Sequence, residues 1–73
     1  MNCDFEKGTR FYRLEITHDL FGWVVVKHYG RKGTPKGRIQ SLPFSTYHDA
    51  YDYYQAEIKR RLKRDYLQVS STP

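Results

Sequence analysis

The chain has almost no cysteine. Cys3 stands alone, so no intramolecular disulfide can form. That absence favours a reducing, cytoplasmic setting. Long apolar runs are missing as well. The longest, Trp23 to Val26, falls far short of the roughly 20 residues that a membrane helix needs. The opening residues, Met1 to Glu6, have neither the basic n-region nor the apolar h-region of a signal peptide. Neither internal repeats nor low-complexity stretches occur. Acidic residues are absent from the whole stretch between Asp19 and Asp49.

What is present fits one small domain. Seventy-three residues lie near the size at which a single core only just stabilises a fold. The expectation is a single domain over residues 1–73, with its core at about 9–66 and frayed termini. Aromatics are abundant: seven Tyr, four Phe and one Trp. Such rings bury much area per residue, which suits a small core.

Hydrophobic patterning assigns the elements. From Thr9 to Thr17, Tyr12, Leu14 and Ile16 alternate with Phe11, Arg13 and Glu15, the period of a half-buried strand. Asp19 and Gly22 are the turn residues that follow. Trp23 to Tyr29 is rich in β-branched and aromatic residues and reads as a second strand. Gly30 to Gly37 holds three glycines and Pro35 and reads as a hairpin loop. Arg38 to Phe44 can form a third strand, ending near Pro43. Phe5 to Thr9 is a candidate short edge strand. Thr46 and Asp49 have the spacing of a capping box. They open a helix from about Tyr47 to Arg64. Tyr47, Ala50, Tyr51, Tyr54, Ile58 and Leu62 form its apolar stripe, and Asp52, Gln55, Lys59, Arg60 and Lys63 its opposite face. The order predicts an α+β fold, an antiparallel sheet of three to four strands with one C-terminal helix packed on it. Residues 67–73 are expected to fray. Both faces of the second strand are apolar, so the face under the helix stays open at this level.

The charge is unevenly placed. The formal net charge is +5, with thirteen basic residues. Lys27, Arg31, Lys32, Lys36 and Arg38 lie in or beside the glycine loop, and Lys59, Arg60, Arg61, Lys63 and Arg64 close the helix. No acid stands near the loop in sequence. Such a concentration is a candidate phosphate-binding surface. Backbone N–H groups of Gly30 and Gly33 could approach a phosphate, with Arg31 as a bidentate fork and Tyr29 against a sugar or base. The plain alternative is a solvated turn, and for the helix end a complement to the macrodipole. Both readings remain open on spacing alone.

Catalysis finds no footing. His18, His28 and His48 are scattered, with no partner at metal or triad spacing. Gly30-Arg31-Lys32-Gly33-Thr34 lacks the spacing of a P-loop. No enzyme activity, no metal, no cofactor and no small-molecule substrate are expected. The helix has no apolar insertion face apart from its core stripe, so no membrane role is expected either.

The loop Tyr29-Gly30-Arg31-Lys32-Gly33 resembles the signature of the WGR domain family, in which a strand ends in Trp-Gly-Arg, one variable residue and Gly. Tyr29 replaces the family's Trp. The resemblance extends over roughly residues 10–66. It includes the opening strand Phe11 to Ile16, Gly37, Ala50, Tyr54, Arg61 and the pair Asp65-Tyr66, which stands where the family has Gly-Tyr. Such domains occur in poly(ADP-ribose) polymerases and in bacterial proteins, some described as regulators of molybdate metabolism. The resemblance implies an antiparallel sheet with one helix. It also implies a stand-alone module that binds nucleic acid, with duplex DNA the first candidate. Tyr29 would then take the family's stacking role and Arg31 its backbone role. The expected site is Lys27, Tyr29, Gly30, Arg31, Lys32, Gly33, Lys36 and Arg38. The alternative is a protein-interaction module acting in trans or as a homodimer. An exposed apolar patch near Phe21, Trp23 or Phe44 would favour that alternative.

Overall fold

The computed structural model describes residues 1–34 and 37–73. Five strands run through these residues: β1 (Asn2–Lys7), β2 (Arg10–Asp19), β3 (Gly22–Arg31), β4 (Arg38–Phe44) and β5 (Leu67–Thr72). One helix, α1 (Tyr47–Lys63), joins β4 to β5. The sheet is antiparallel in the order β4-β3-β2-β1-β5.

The long β2–β3 hairpin is the spine. Its two-residue turn is set by Asp19, whose Oδ1 accepts from the Phe21 and Gly22 amides at 2.8 and 3.0 Å. Gly22 is obligatory there: its φ is +152°, and a Cβ would stand 2.6 Å from the Phe44 carbonyl oxygen. Counting back from that turn pairs Ile16 with Val25, Tyr12 with Tyr29 and Arg10 with Arg31.

Alternation decides the faces. Cys3, Phe5, Tyr12, Leu14, Ile16 and Val25 point to one side and are buried with Ala50 and Tyr54 of the helix. The helix therefore covers the face that carries Trp23, Val25 and Tyr29. Burial and a hydrogen bond from its neighbourhood keep the Tyr54 phenol protonated above its ordinary range, and burial does the same for the Cys3 thiol. Val24, Val26 and His28 face the open side.

Two expectations are corrected. The sheet has five strands rather than three to four. The missed strand is β5, whose six residues are all exposed and whose only apolar alternation, Leu67 and Val69, is too short to mark a strand. It is held by backbone pairing to β1, a force that leaves no mark in side-chain pattern. Residues 67–72 are thus a paired strand, and β1 lies inside the sheet instead of at its edge. The helix begins where the cap predicts, with Thr46 Oγ1 accepting from the Asp49 amide at 3.2 Å. Its buried stripe is turned from the apolar one, however. Ala50, Tyr54 and Glu57 are buried, whereas Tyr47, Tyr51 and Leu62 are 40%, 36% and 48% exposed.

The helix ends in a Schellman arrangement. The Tyr66 amide donates to the Arg61 carbonyl at 3.1 Å and the Asp65 amide to that of Leu62 at 3.2 Å. This requires a left-handed residue, and Asp65 takes it at φ +67°. Glycine would adopt that conformation without the steric cost.

Candidate nucleic-acid interface

The strand register gathers residues that are far apart in sequence. At the end of β2 and β3 remote from the Asp19 turn, Arg10 and Arg31 are cross-strand partners, and Tyr12 pairs with Tyr29. Arg38 of β4 stands beside Tyr29. All alternate onto the face that carries the helix. The last turns of α1 arrive over the same corner.

Between helix and sheet lies a cleft of about 500 Å³. Its cations are Lys7, Arg10, Lys27, Arg60, Arg61 and Arg64, and its rings are Tyr12, Tyr29 and Tyr66. The acid in its lining is Glu57. A second concavity of about 320 Å³ adjoins it and shares Arg10, Tyr29 and Tyr66, adding Phe11, Gly30 and Arg31. The loop cluster and the helix-end cluster thus meet in one basic region.

Glu57 organises that corner. Its side chain is only 1% exposed, among surroundings where an unpaired charge would be very costly. Arg60 Nη1 donates to Oε1, and the Tyr12 hydroxyl donates to Oε2 at 3.3 Å. Lys27 Nζ and Arg61 Nε each stand 3.9 Å from a carboxylate oxygen. Burial, followed by the nearby carboxylate, keeps the Tyr12 phenol protonated well above its ordinary range, so it remains a donor.

The rings hold cations rather than lying bare. The Arg61 guanidinium lies 4.5 Å from the Tyr12 ring centre and 5.6 Å from that of Tyr66. Lys27 lies 5.2 Å over Tyr53, and Lys7 lies 5.8 Å over Tyr66. Lys7 also donates to the Arg64 carbonyl at 2.7 Å, closing the helix end onto β1. Arg61 Nε is buried without a hydrogen-bond partner.

The expected site residues separate into groups. Tyr29 is half-buried and stacks on Tyr12 at 5.3 Å and 13°, so one face of its ring is already covered. Lys27 is held by Glu57. Arg31 and Arg38 are exposed. Lys32 turns away to Glu6, which its Nζ meets at 2.6 Å. The loop therefore does have an acid neighbour, supplied by β1 across the sheet and invisible to a local reading.

The glycines have a packing role in the fold. A Cβ on Gly30 would meet Gly37 Cα at 3.1 Å, and one on Gly37 would meet the Tyr29 carbonyl oxygen at 2.7 Å. The two residues let β3 and the chain entering β4 approach closely. Gly33 takes the left-handed turn at φ +80°. The Lys32 amide donates to the Thr9 carbonyl at 2.6 Å, so this N–H is already engaged. Lys36 lies outside the described residues.

The family model of the WGR domain matches residues 2–73. The chain belongs to the WGR domain family. No curated protein and no solved structure matches it. The WGR match includes β1 and β5, which the signature loop alone does not reach.

Sequence reasoning missed Lys7, Arg10, Tyr12, Glu57 and Tyr66 as members of this corner. Arg10 was recoverable by counting the hairpin back from Asp19 and Gly22. Tyr12 was recoverable in the same way, whereas Lys7, Glu57 and Tyr66 depend on the β1–β5 pairing and on the helix rotation, which no local spacing encodes. Among the described residues, no group of three or more His, Cys, Asp or Glu could hold a metal. No helix of the described chain is long and apolar enough to cross a membrane.

Proposed function

We propose that this WGR domain is a non-catalytic nucleic-acid-binding module that grips the sugar–phosphate backbone, with duplex DNA as its first candidate partner. The observation that carries the reading is convergence. Two basic segments some thirty residues apart, one of them the family signature loop, meet at a single corner with only Glu57 as the acid in the cleft. Cations arranged along a concave edge neutralise successive phosphates and release counterions, which gives affinity without sequence preference.

Of the residues first expected, Arg31 and Arg38 make the direct phosphate contacts, with Lys36 and Lys32 as further loop charge. Gly30 and Gly33 shape the loop. Lys27 and Tyr29 support from beneath, since Glu57 and Tyr12 already engage them. Arg10, Arg60 and Arg64 extend the track. Tyr29 leaves its uncovered side for a sugar. The cytoplasm, where nucleic acid and reduced thiols coexist, is the proposed location.

Fluorescence anisotropy with labelled duplex, nicked and single-stranded DNA at two salt concentrations tests the proposal. Binding with Kd on the order of 10⁻⁴–10⁻⁶ M at physiological salt, weakening steeply as salt rises, is the expected result. Absence of salt-sensitive binding to every one of these would overturn it.

A further inference from the structure

The cleft under the end of the helix holds more donors than the chain itself satisfies. Among the described residues, six cations line it and Glu57 is the acid that faces them. Each carboxylate oxygen already accepts a hydrogen bond, one from Arg60 Nη1 and the other from the Tyr12 hydroxyl. Lys27 Nζ and Arg61 Nε stand 3.9 Å from those oxygens, beyond hydrogen-bond length. Their side chains are only 13% and 12% exposed. Arg61 Nε is buried with no hydrogen-bond partner, whereas buried donors in folded proteins are nearly always paired. Arg10 and Arg64 add two exposed cations to the same lining.

Charge density decides what fits. A nucleic-acid strand spreads its charges along its length, one to each nucleotide. That spacing suits the exposed Arg31 and Arg38 on the sheet edge. A cavity in which several cations converge suits an anion that brings several charges to one place. A diphosphate or triphosphate chain does so, with many acceptor oxygens for guanidinium groups. The cleft, at about 500 Å³, has the volume of a small-ligand pocket rather than of a single ion.

The adjoining concavity of about 320 Å³ supplies the rest of the ligand's outline. Tyr29, Tyr66 and Gly30 are among the residues that bound it. Tyr29 lines both spaces and has one ring face not covered by Tyr12. An aromatic face of this kind is a stacking platform for a base. Gly30 brings no side chain into the space.

We infer that the cleft is a binding site for a free nucleoside di- or triphosphate, with its phosphates on Arg10, Lys27, Arg61 and Arg64 and its base on Tyr29. The nucleotide is a ligand, bound and released unchanged. Arg10 and Tyr29 also belong to the surface proposed for DNA, so nucleotide and DNA exclude each other. That consequence rests on the proposed function; the nucleotide site itself does not.

Isothermal titration calorimetry of the full chain, in magnesium-free buffer without nucleic acid, tests the inference. The probes are ADP, ATP, adenosine, inorganic pyrophosphate and inorganic phosphate. ADP and ATP are expected to bind one to a chain with Kd on the order of 10⁻⁴ M. Pyrophosphate should bind about tenfold more weakly for want of a stacked base, and phosphate and adenosine more weakly still. Arg10→Gln and Arg64→Gln change exposed residues and should each weaken ADP binding about tenfold, with unchanged circular dichroism. Tyr29→Leu should reduce the affinity for ADP to that for pyrophosphate. Absence of ADP and ATP binding at about 5 mM would overturn the inference. So would pyrophosphate or phosphate that binds the wild type as tightly as ADP, which would mean attraction of anions only. An ADP affinity untouched by both arginine changes would overturn it too. ADP binding without any DNA binding would sink the proposed function and leave the nucleotide site standing, and DNA binding without ADP binding would do the reverse.

Discussion

The two ends of the β2–β3 hairpin are built from the same backbone and do opposite things. At one end Arg10 faces Arg31, the helix finishes in a basic run, and Glu57 ties cations to the sheet. At the other end Leu20 and Phe21 stand in solvent, and the helix starts on an uncharged threonine cap. The helix dipole runs along the same line, with its negative end among the cations, which it stabilises. The basic end concentrates charge and needs an internal counter-ion to fold. The apolar end needs none and stays simple. A polarised small domain of this kind can bind a polyanion at one end without disturbing the other.

Removing that counter-ion is the harshest way to break the comparison. Glu57→Gln leaves Lys27 and Arg61, whose side chains are 13% and 12% exposed, without their carboxylate. Loss of one member of a buried ionic group costs about 3–5 kcal/mol. Urea unfolding should show a loss of that order for Glu57→Gln, and little loss for a charge-neutral change at the tip. Equal stability of Glu57→Gln and wild type would mean that the cluster does not hold the basic end.

Next comes the function assigned to that end. Arg10→Ala combined with Arg31→Ala is expected to weaken DNA binding by roughly 3 kcal/mol, or about 100-fold, at about 1.5 kcal/mol for each charged hydrogen bond removed. The slope of log K against log salt should become shallower by about 0.9 for every phosphate that the variant no longer neutralises. Thermal stability should change little, because both side chains are exposed. A variant that keeps both affinity and slope would move the contact surface elsewhere.

Much of this polarity was legible in the residues, and the limits have physical causes. Tyr12, Leu14 and Ile16 declared their buried face because one-sided burial writes a period of two. Thr46 and Asp49 declared the helix start because a cap needs a short oxygen side chain there. The charge clusters were visible as composition, yet their meeting was not, since it depends on how the helix packs across the sheet and on the long-range pairing of β1 with β5. Glu57 escaped because a buried acid breaks the apolar stripe that betrays a buried face. Its partners Lys27, Arg60 and Arg61 offset the cost of burying it. The Lys32 contact with Glu6 escaped for the same long-range reason.

Smaller effects refine the contrast between the helix ends. At the apolar end, Thr46→Ala removes the acceptor for the Asp49 amide and should lower stability by about 1 kcal/mol in thermal or chemical unfolding. At the basic end the sign reverses. Asp65→Gly relieves a left-handed non-glycine residue and should raise stability by about 0.5–1 kcal/mol. A destabilised Asp65→Gly would show that the Asp65 side chain contributes more than its backbone strain removes.

The most direct test of the central claim is an amide chemical-shift titration of dilute ¹⁵N-labelled chain with a short DNA duplex. The account predicts shifts at Arg10, Gly30 to Lys32, Arg38 and Arg60 to Tyr66, and none at Leu20, Phe21 or Gly22. Shifts centred on the Leu20–Phe21 turn, or none anywhere at saturating DNA, would contradict it.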